Sequence, residues 1–166
     1  MSIRPSCRRA GFTLVEIMVV VLIISVLAMF SVPAVARIKR KARTATIVND
    51  FRVFAAAFAT YAQETGTWPA NTSVGVLPAA MSGRINSQAW KRRTPIGGQY
   101  NWEFNQVHAG VRYRAAISIN ATASAPLPLD MAQLQDLEQT IDSTFNWTGG
   151  TFHLGTGLVP LYIIQD

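Results

Sequence analysis

Glu16 is the residue that first demands a chemical explanation. It is the only charged side chain between Phe12 and Ala36, a run of 25 residues. A carboxylate at the centre of a membrane helix costs about 2.5–3.5 kcal/mol on insertion scales, so one that persists there marks a task. Positive charge surrounds the run on both sides. Arg4, Arg8 and Arg9 precede it, and Arg37, Lys39, Arg40, Lys41 and Arg43 follow it.

Elsewhere the residue types that do chemistry are scattered. Cys7 is the only cysteine and lies before the apolar run, so the rest of the chain has no disulfide, thiolate metal site or cysteine nucleophile. It also precedes the run, whereas a lipoprotein cysteine would follow it. His108 and His153 stand outside any metal-ligand spacing. Asp130, Asp136, Glu138 and Asp142 fall along one short helical segment, without the alternating oxygens of a calcium loop. "GTGLVP" lacks the strand–loop–helix setting and the basic residue of a phosphate loop. No nucleophile–base set is legible. The expectation is a chain that is not an enzyme and needs neither metal nor cofactor.

The element that carries Glu16 is a membrane-length helix. Eighteen or more nearly uncharged residues read as a span, because a bilayer core of about 30 Å needs about 20 residues at 1.5 Å each. A secretory signal peptide would account for the basic start and for "AVA" at Ala34–Ala36 as a cleavage site, but its apolar stretch is usually 7–15 residues long. A plain anchor accounts for the hydrophobicity and leaves Glu16 unexplained. The net charge of +6 lies around this segment. From Thr44 onward seven basic residues face eight acidic ones. Anionic headgroups therefore suit the basic flanks, and nucleic acid is not an expected partner.

Gly11, Phe12, Thr13, Leu14, Val15 and Glu16, followed by the long apolar stretch, resemble the amino terminus of type IV prepilins and of type II secretion pseudopilins. That resemblance implies cleavage between Gly11 and Phe12 by a prepilin peptidase at the cytoplasmic membrane face, then N-methylation of Phe12. Glu16 becomes the fifth residue of the mature chain and Pro33 the twenty-second, where the family often has a proline. Glycine suits close approach of a protease to the backbone. One turn into the new helix, Glu16 is favoured by the helix dipole. In a filament it would pair with the Phe12 ammonium of a neighbour and set the docking register. Counting basic residues alone weakly favours a cytoplasmic carboxyl domain; the family implies the reverse, with the leader in the cytoplasm and the head periplasmic.

Past the membrane the helix is expected to continue. Ile47, Phe51, Phe54, Phe58 and Tyr61 make one helical stripe, and Gly66 and Pro69 end it. Pro33 predicts a kink. Residues 70–98 read mostly as loop, with "KRRTPIGG" a basic patch on it. A strand with Tyr100, Trp102 and Phe104 pairs with "VRYRAAISIN" as a hairpin whose loop lies near 105–110. Val111, Tyr113, Ala115, Ile117 and Ile119 are expected on one face of a half-buried strand. Asp130 caps a helix with Met131, Leu134, Leu137, Glu138 and Ile141 at helical spacing. Two short strands about a Gly-rich turn close the chain.

The fold class is therefore α+β: a long amino-terminal transmembrane helix on a small antiparallel sheet. Residues 1–11 form the leader, 12–36 the membrane and assembly helix, 37–66 its continuation and 67–166 the head. The expected function is that of a pseudopilus subunit in the inner membrane. Its partners would be like or unlike pseudopilus subunits, prepilin peptidase, an inner-membrane assembly platform and membrane lipids. The alternatives are a type IV pilin for adhesion, motility or DNA uptake, and an anchored carbohydrate-binding head using Trp68, Trp90, Trp102 and Trp147.

Overall fold

The structure is a computed structural model that describes residues 11–128, 130–143 and 146–166. Arg4, Cys7, Arg8 and Arg9, which fall in the expected leader, lie outside them. The chain divides into two compact units, Met1–Lys39 and Arg40–Asp166. Helix α1, Leu14–Thr65, contributes to both.

In the first unit α1 is apolar on every side, and its large side chains from Leu14 to Ile38 are exposed. A helix that is hydrophobic all round belongs in a membrane or a core. This one is long and apolar enough to cross a membrane. Its serines return their hydroxyls to the helix: Ser25 Oγ donates to the Val21 carbonyl at 2.7 Å and Ser31 Oγ to that of Leu27 at 2.9 Å. No hydroxyl is thus left unbonded in an apolar setting. Helical geometry continues through Pro33. The proline removes one intrahelical bond there without ending the helix.

In the second unit α1 becomes amphipathic. Thr44, Ile47, Val48, Asp50, Phe51, Phe54, Ala55 and Phe58 are buried, and Tyr61 packs at the margin of the core. Gly66, at φ 73°, ends the helix in the left-handed conformation that glycine adopts without penalty. The buried stripe meets a four-stranded antiparallel sheet made of β1 (Gln99–His108), β2 (Val111–Asn120), β3 (Phe152–Leu154) and β4 (Pro160–Gln165), in the order β1-β2-β4-β3. Aromatic rings form the joint. Phe58 stacks on Trp102 with centroids 3.9 Å apart, Phe54 meets Trp90 and Tyr100 edge-on, and Phe51 stacks on Tyr162. Such pairs add about 0.5–1.5 kcal/mol each beyond the area they bury.

Within residues 70–98, read as loop, lie a 3₁₀ turn at Ala79–Met81 and a short helix, α2, at Ser87–Lys91. Asn86 caps α2 through its side-chain oxygen. Helix α3, Met131–Ile141, is capped by Asp130, whose carboxylate accepts from the amides of Ala132 and Gln133. Its buried residues include Leu134, Leu137 and Glu138, while Met131 is exposed, since it stands at the helix's first position.

At each sheet edge one side chain stands in locally for a strand residue. The Asn71 amide donates to the Phe104 carbonyl at 2.9 Å and accepts from the Phe104 amide at 2.6 Å. On the other edge Asp142 accepts from the amides of Thr151 and Phe152.

The β1–β2 hairpin departs from expectation. Its turn is confined to Ala109–Gly110, and pairing runs to His108 opposite Val111. The predicted common face holds for Ala115, Ile117 and Ile119, which join the main core. Tyr113 instead packs with Ala116, Leu161 and Ile163, and Val111 is exposed. The cause is a sharp bend. Asn105 has φ 56°, and β2 shifts register against β4 between Ala115 and Ala116. Glu103 and His108, an odd number of residues apart, would lie on opposite faces of a flat strand. Yet His108 Nε2 is 3.4 Å from Glu103 Oε2. The distal half of the hairpin folds over the outer sheet face, where the Ala109 amide reaches Thr156 Oγ1 and Tyr113 Oη lies 2.7 Å from His153 Nδ1. The outer face is therefore a second, smaller core, and Ser118 and Ala116 are fully buried in it.

Candidate functional site

The residues singled out by the sequence fall at the start of α1. Gly11, Phe12 and Thr13 precede the helix, which begins at Leu14. The sequence Thr-Leu-Val-Glu at positions 13–16 has the spacing of a capping box. Thr13 Oγ1 accepts from the Glu16 amide at 3.3 Å, satisfying one of the first unpaired amides. Thr13 belongs to the motif that carries the resemblance, but the sequence assigned it no role of its own, though the Thr-x-x-Glu spacing of a cap was there to be read. Its capping bond fixes where the helix starts and so where Glu16 lies.

Phe12 is 74% exposed. Glu16 is exposed too, and among the described residues no group bonds its carboxylate. Gly11 does not occupy the left-handed region, and a Cβ there would meet nothing within 4 Å. The described packing thus gives no reason for a glycine at position 11. Pro33 lies 17 residues beyond Glu16 on the same helix, about 25 Å along it.

Beyond Ala36 the cations separate into two kinds. Arg40 bonds Asp136 of α3 through Nε at 3.1 Å. Arg37, Lys39, Lys41 and Arg43 are exposed and have no ion-pair partner among the described residues.

Polar chemistry in the head is used within the head. Asp50 Oδ2 accepts from Tyr100 Oη at 2.7 Å and from Arg92 at 2.5 Å, tying α1 to β1 and to the end of α2. Burial, reinforced by the Asp50 carboxylate, pushes the Tyr100 phenol far above its usual range. The hydrogen bond to Asp50 likewise raises Arg92. Glu103 accepts from Ser118 and Asn101. Of the tryptophans proposed as stacking faces, Trp90 and Trp102 are buried in the core, and Trp68 and Trp147 pack against it. Among the described residues no three His, Cys, Asp or Glu side chains are grouped to hold a metal ion.

Residues 6–32 match the prokaryotic N-terminal methylation motif. Among curated proteins none matches the sequence. Among solved structures, the major type IV pilin PilA1 of Clostridium difficile is similar in fold, with a TM-score of 0.53 at 19% identity, over 76% of this chain and 97% of that one. Its likeness reaches past the motif into the sheet-bearing unit. The chain thus carries a prokaryotic N-terminal methylation motif at the start of an apolar helix, and its fold is similar to that of a type IV pilin.

Proposed function

We propose that the chain is a structural subunit of a type II secretion pseudopilus, cleaved between Gly11 and Phe12, N-methylated on Phe12 and assembled through α1. Cleavage frees an ammonium group on Phe12, four residues before Glu16. In a bundle of apolar helices either charge alone is costly, whereas the two together favour one depth of docking. The observation that carries the reading is Glu16: the sole charge in the exposed apolar stretch from Phe12 to Ala36, with no partner of its own among the described residues. Glycine at 11, which the described packing does not require, supports a need imposed by the peptidase. The leader would be cytoplasmic and the head periplasmic, with an assembly platform lifting subunits from the inner membrane.

Similarity to a solved type IV pilin favours a second reading, a subunit of a surface pilus. The absence of cysteine after Cys7 leans toward the pseudopilus, because many type IV pilins close a carboxy-terminal loop with a disulfide. Buried Trp90 and Trp102 speak against a carbohydrate-binding head.

Glu16→Leu tests the assembly role. The variant should insert and be cleaved normally, since it removes a costly charge from the membrane. Filament yield, read by crosslinking of introduced cysteines at matched levels of cleaved subunit, should fall sharply. Breaking one side of a buried pair typically costs about 3–5 kcal/mol. Normal yield would sink the register role. Deleting the gene separates the two filament types: loss of protein secretion without loss of a surface fibre supports the pseudopilus, and the converse the pilus.

A further inference from the structure

We propose that residues 106–113, the tip of the β1–β2 hairpin, form a latched flap that opens as one body while the rest of the sheet stays folded. The inference concerns the second unit alone and does not depend on which filament the chain serves.

The tip is built to move as a body. Gln106, Val107 and His108 pair with Tyr113, Arg112 and Val111, so it carries its own ladder. It leaves the sheet at one point. Pairing passes from Phe104–Ala115 to Gln106–Tyr113 and skips Asn105, whose φ is 56°. Asparagine tolerates this left-handed conformation better than most side chains. The Arg112 guanidinium donates to the backbone carbonyl and the side-chain oxygen of Asn105, at 3.3 and 3.1 Å, so the bend is held from within the tip. On its other side, β2 pairs with β4 only from Ala115 onward. The ladder therefore does not tie the tip to a third strand, and a two-stranded ribbon alone is marginal in water.

A short set of contacts holds it shut. The Ala109 amide donates to Thr156 Oγ1 at 3.1 Å, and Tyr113 Oη lies 2.7 Å from His153 Nδ1. Tyr113 also packs with Ala116, Leu161 and Ile163, a cluster apart from the main core, and none of residues 106–113 belongs to that core. The His108 ring lies against Gly155, where a Cβ would come within 2.8 Å of Nδ1 and 2.6 Å of Leu161 Cδ1. A glycine at 155 is what lets the ring lie that close.

Closure also carries a cost. His108 Nδ1 and His153 Nε2 are buried with no hydrogen-bond partner among the described residues. A buried polar atom left unpaired is a standing penalty, and water removes it when the tip lifts. Glu103 is 6% exposed, and its Oε2 has His108 Nε2 at 3.4 Å, longer than a good hydrogen bond. Opening returns all three groups to water. Against this, closure gains one tyrosine ring on a small patch and one backbone bond to Thr156. The balance is close at the tip and not elsewhere in the sheet. Opening uncovers Ala116 and Leu161, both fully buried beneath the closed tip.

Hydrogen–deuterium exchange of the full chain in mild detergent, read by mass spectrometry of its peptides, tests the flap. Amides of 106–113 should exchange together, about ten-fold or more faster than those of 100–104 and 116–119, because a local opening precedes global unfolding. Thr156 is exposed, so its variants leave the fold in place. Thr156→Val removes the acceptor of the Ala109 amide at nearly unchanged shape and should speed the tip about five-fold, with the other strands unmoved. Thr156→Ser keeps the acceptor and should leave the tip near its native rate. Gly155→Ala should displace the His108 ring and speed the tip more than Thr156→Val does. Exchange of the tip in step with the rest of β1 and β2, or an equal response of all strands to Thr156→Val, would overturn the flap. So would a tip that exchanges as fast as an unfolded chain and ignores Thr156→Val, since such a tip never latches.

Discussion

Asp50→Ala should loosen the joint between helix and sheet, and the cost can be worked from its two partners. Tyr100 is fully buried, and its hydroxyl donates to Asp50 at 2.7 Å. Removing the acceptor strands that hydroxyl, at a cost of about 1–3 kcal/mol. The Arg92 side chain is 45% exposed, so it returns to water and the lost ion pair adds at most about 1 kcal/mol. The variant should therefore lose about 2–3 kcal/mol, lowering Tm by roughly 10 °C for a domain of this size. Tyr100→Phe should cost about 1–2 kcal/mol, because Asp50 keeps Arg92. The double variant strands no hydroxyl and should cost clearly less than the sum, with a coupling of about 1 kcal/mol or more. Urea unfolding of the detergent-solubilised chain, followed by tryptophan fluorescence, measures all three. Trp68, Trp90, Trp102 and Trp147 all lie beyond α1, so the signal reports the head and not the membrane helix. Additivity within about 0.5 kcal/mol would refute the claim that Asp50 serves Tyr100.

Other expectations follow from the same packing. Gly97 has φ 98°, and a Cβ there would strike the Pro126 carbonyl and the Pro128 ring. Gly97→Ala should cost about 2–4 kcal/mol. Gly83→Ala, at φ 80° in open space, should cost only about 1 kcal/mol, and equal losses in urea melts would remove the steric argument. Burial raises the phenols of Tyr100 and Tyr162. A raised acid stays neutral in the fold while the unfolded chain ionises near pH ~10, so its contribution is whole below that pH and is lost as pH rises toward the folded value. Stability should fall above pH ~10, and Tyr100→Phe should flatten the decline; an unchanged slope would exclude Tyr100 as its source.

What was legible in the sequence depended on how local its cause is. The stripe from Ile47 to Phe58 was readable because a helix has one period and buries one face. Asp130 as a cap and Gly66 as a stop were readable because each acts within one turn. The alternation in β2 was read as a flat strand with one wet face. It failed at Tyr113 because the bend at Asn105 carries the hairpin tip over the sheet, held by contacts to His153 and Thr156 some 40 residues away. Asn71 standing in for a strand residue at Phe104 is likewise a long-range fit that no periodicity announces. In the candidate site, Glu16 was conspicuous because charge is rare in an apolar run. The capping role of Thr13 was not, because threonine is common, and only its distance from Glu16 marks it as a cap.

We propose Gly11–Phe12 as a processing site that creates the charge Glu16 awaits. Co-expression with a prepilin peptidase, followed by mass spectrometry of the purified protein's amino terminus, tests this. The purified chain should begin at Phe12 with a methylated amino group. A chain beginning at Arg37, as from a secretory signal peptide, or one left uncut with its leader in place, would contradict it.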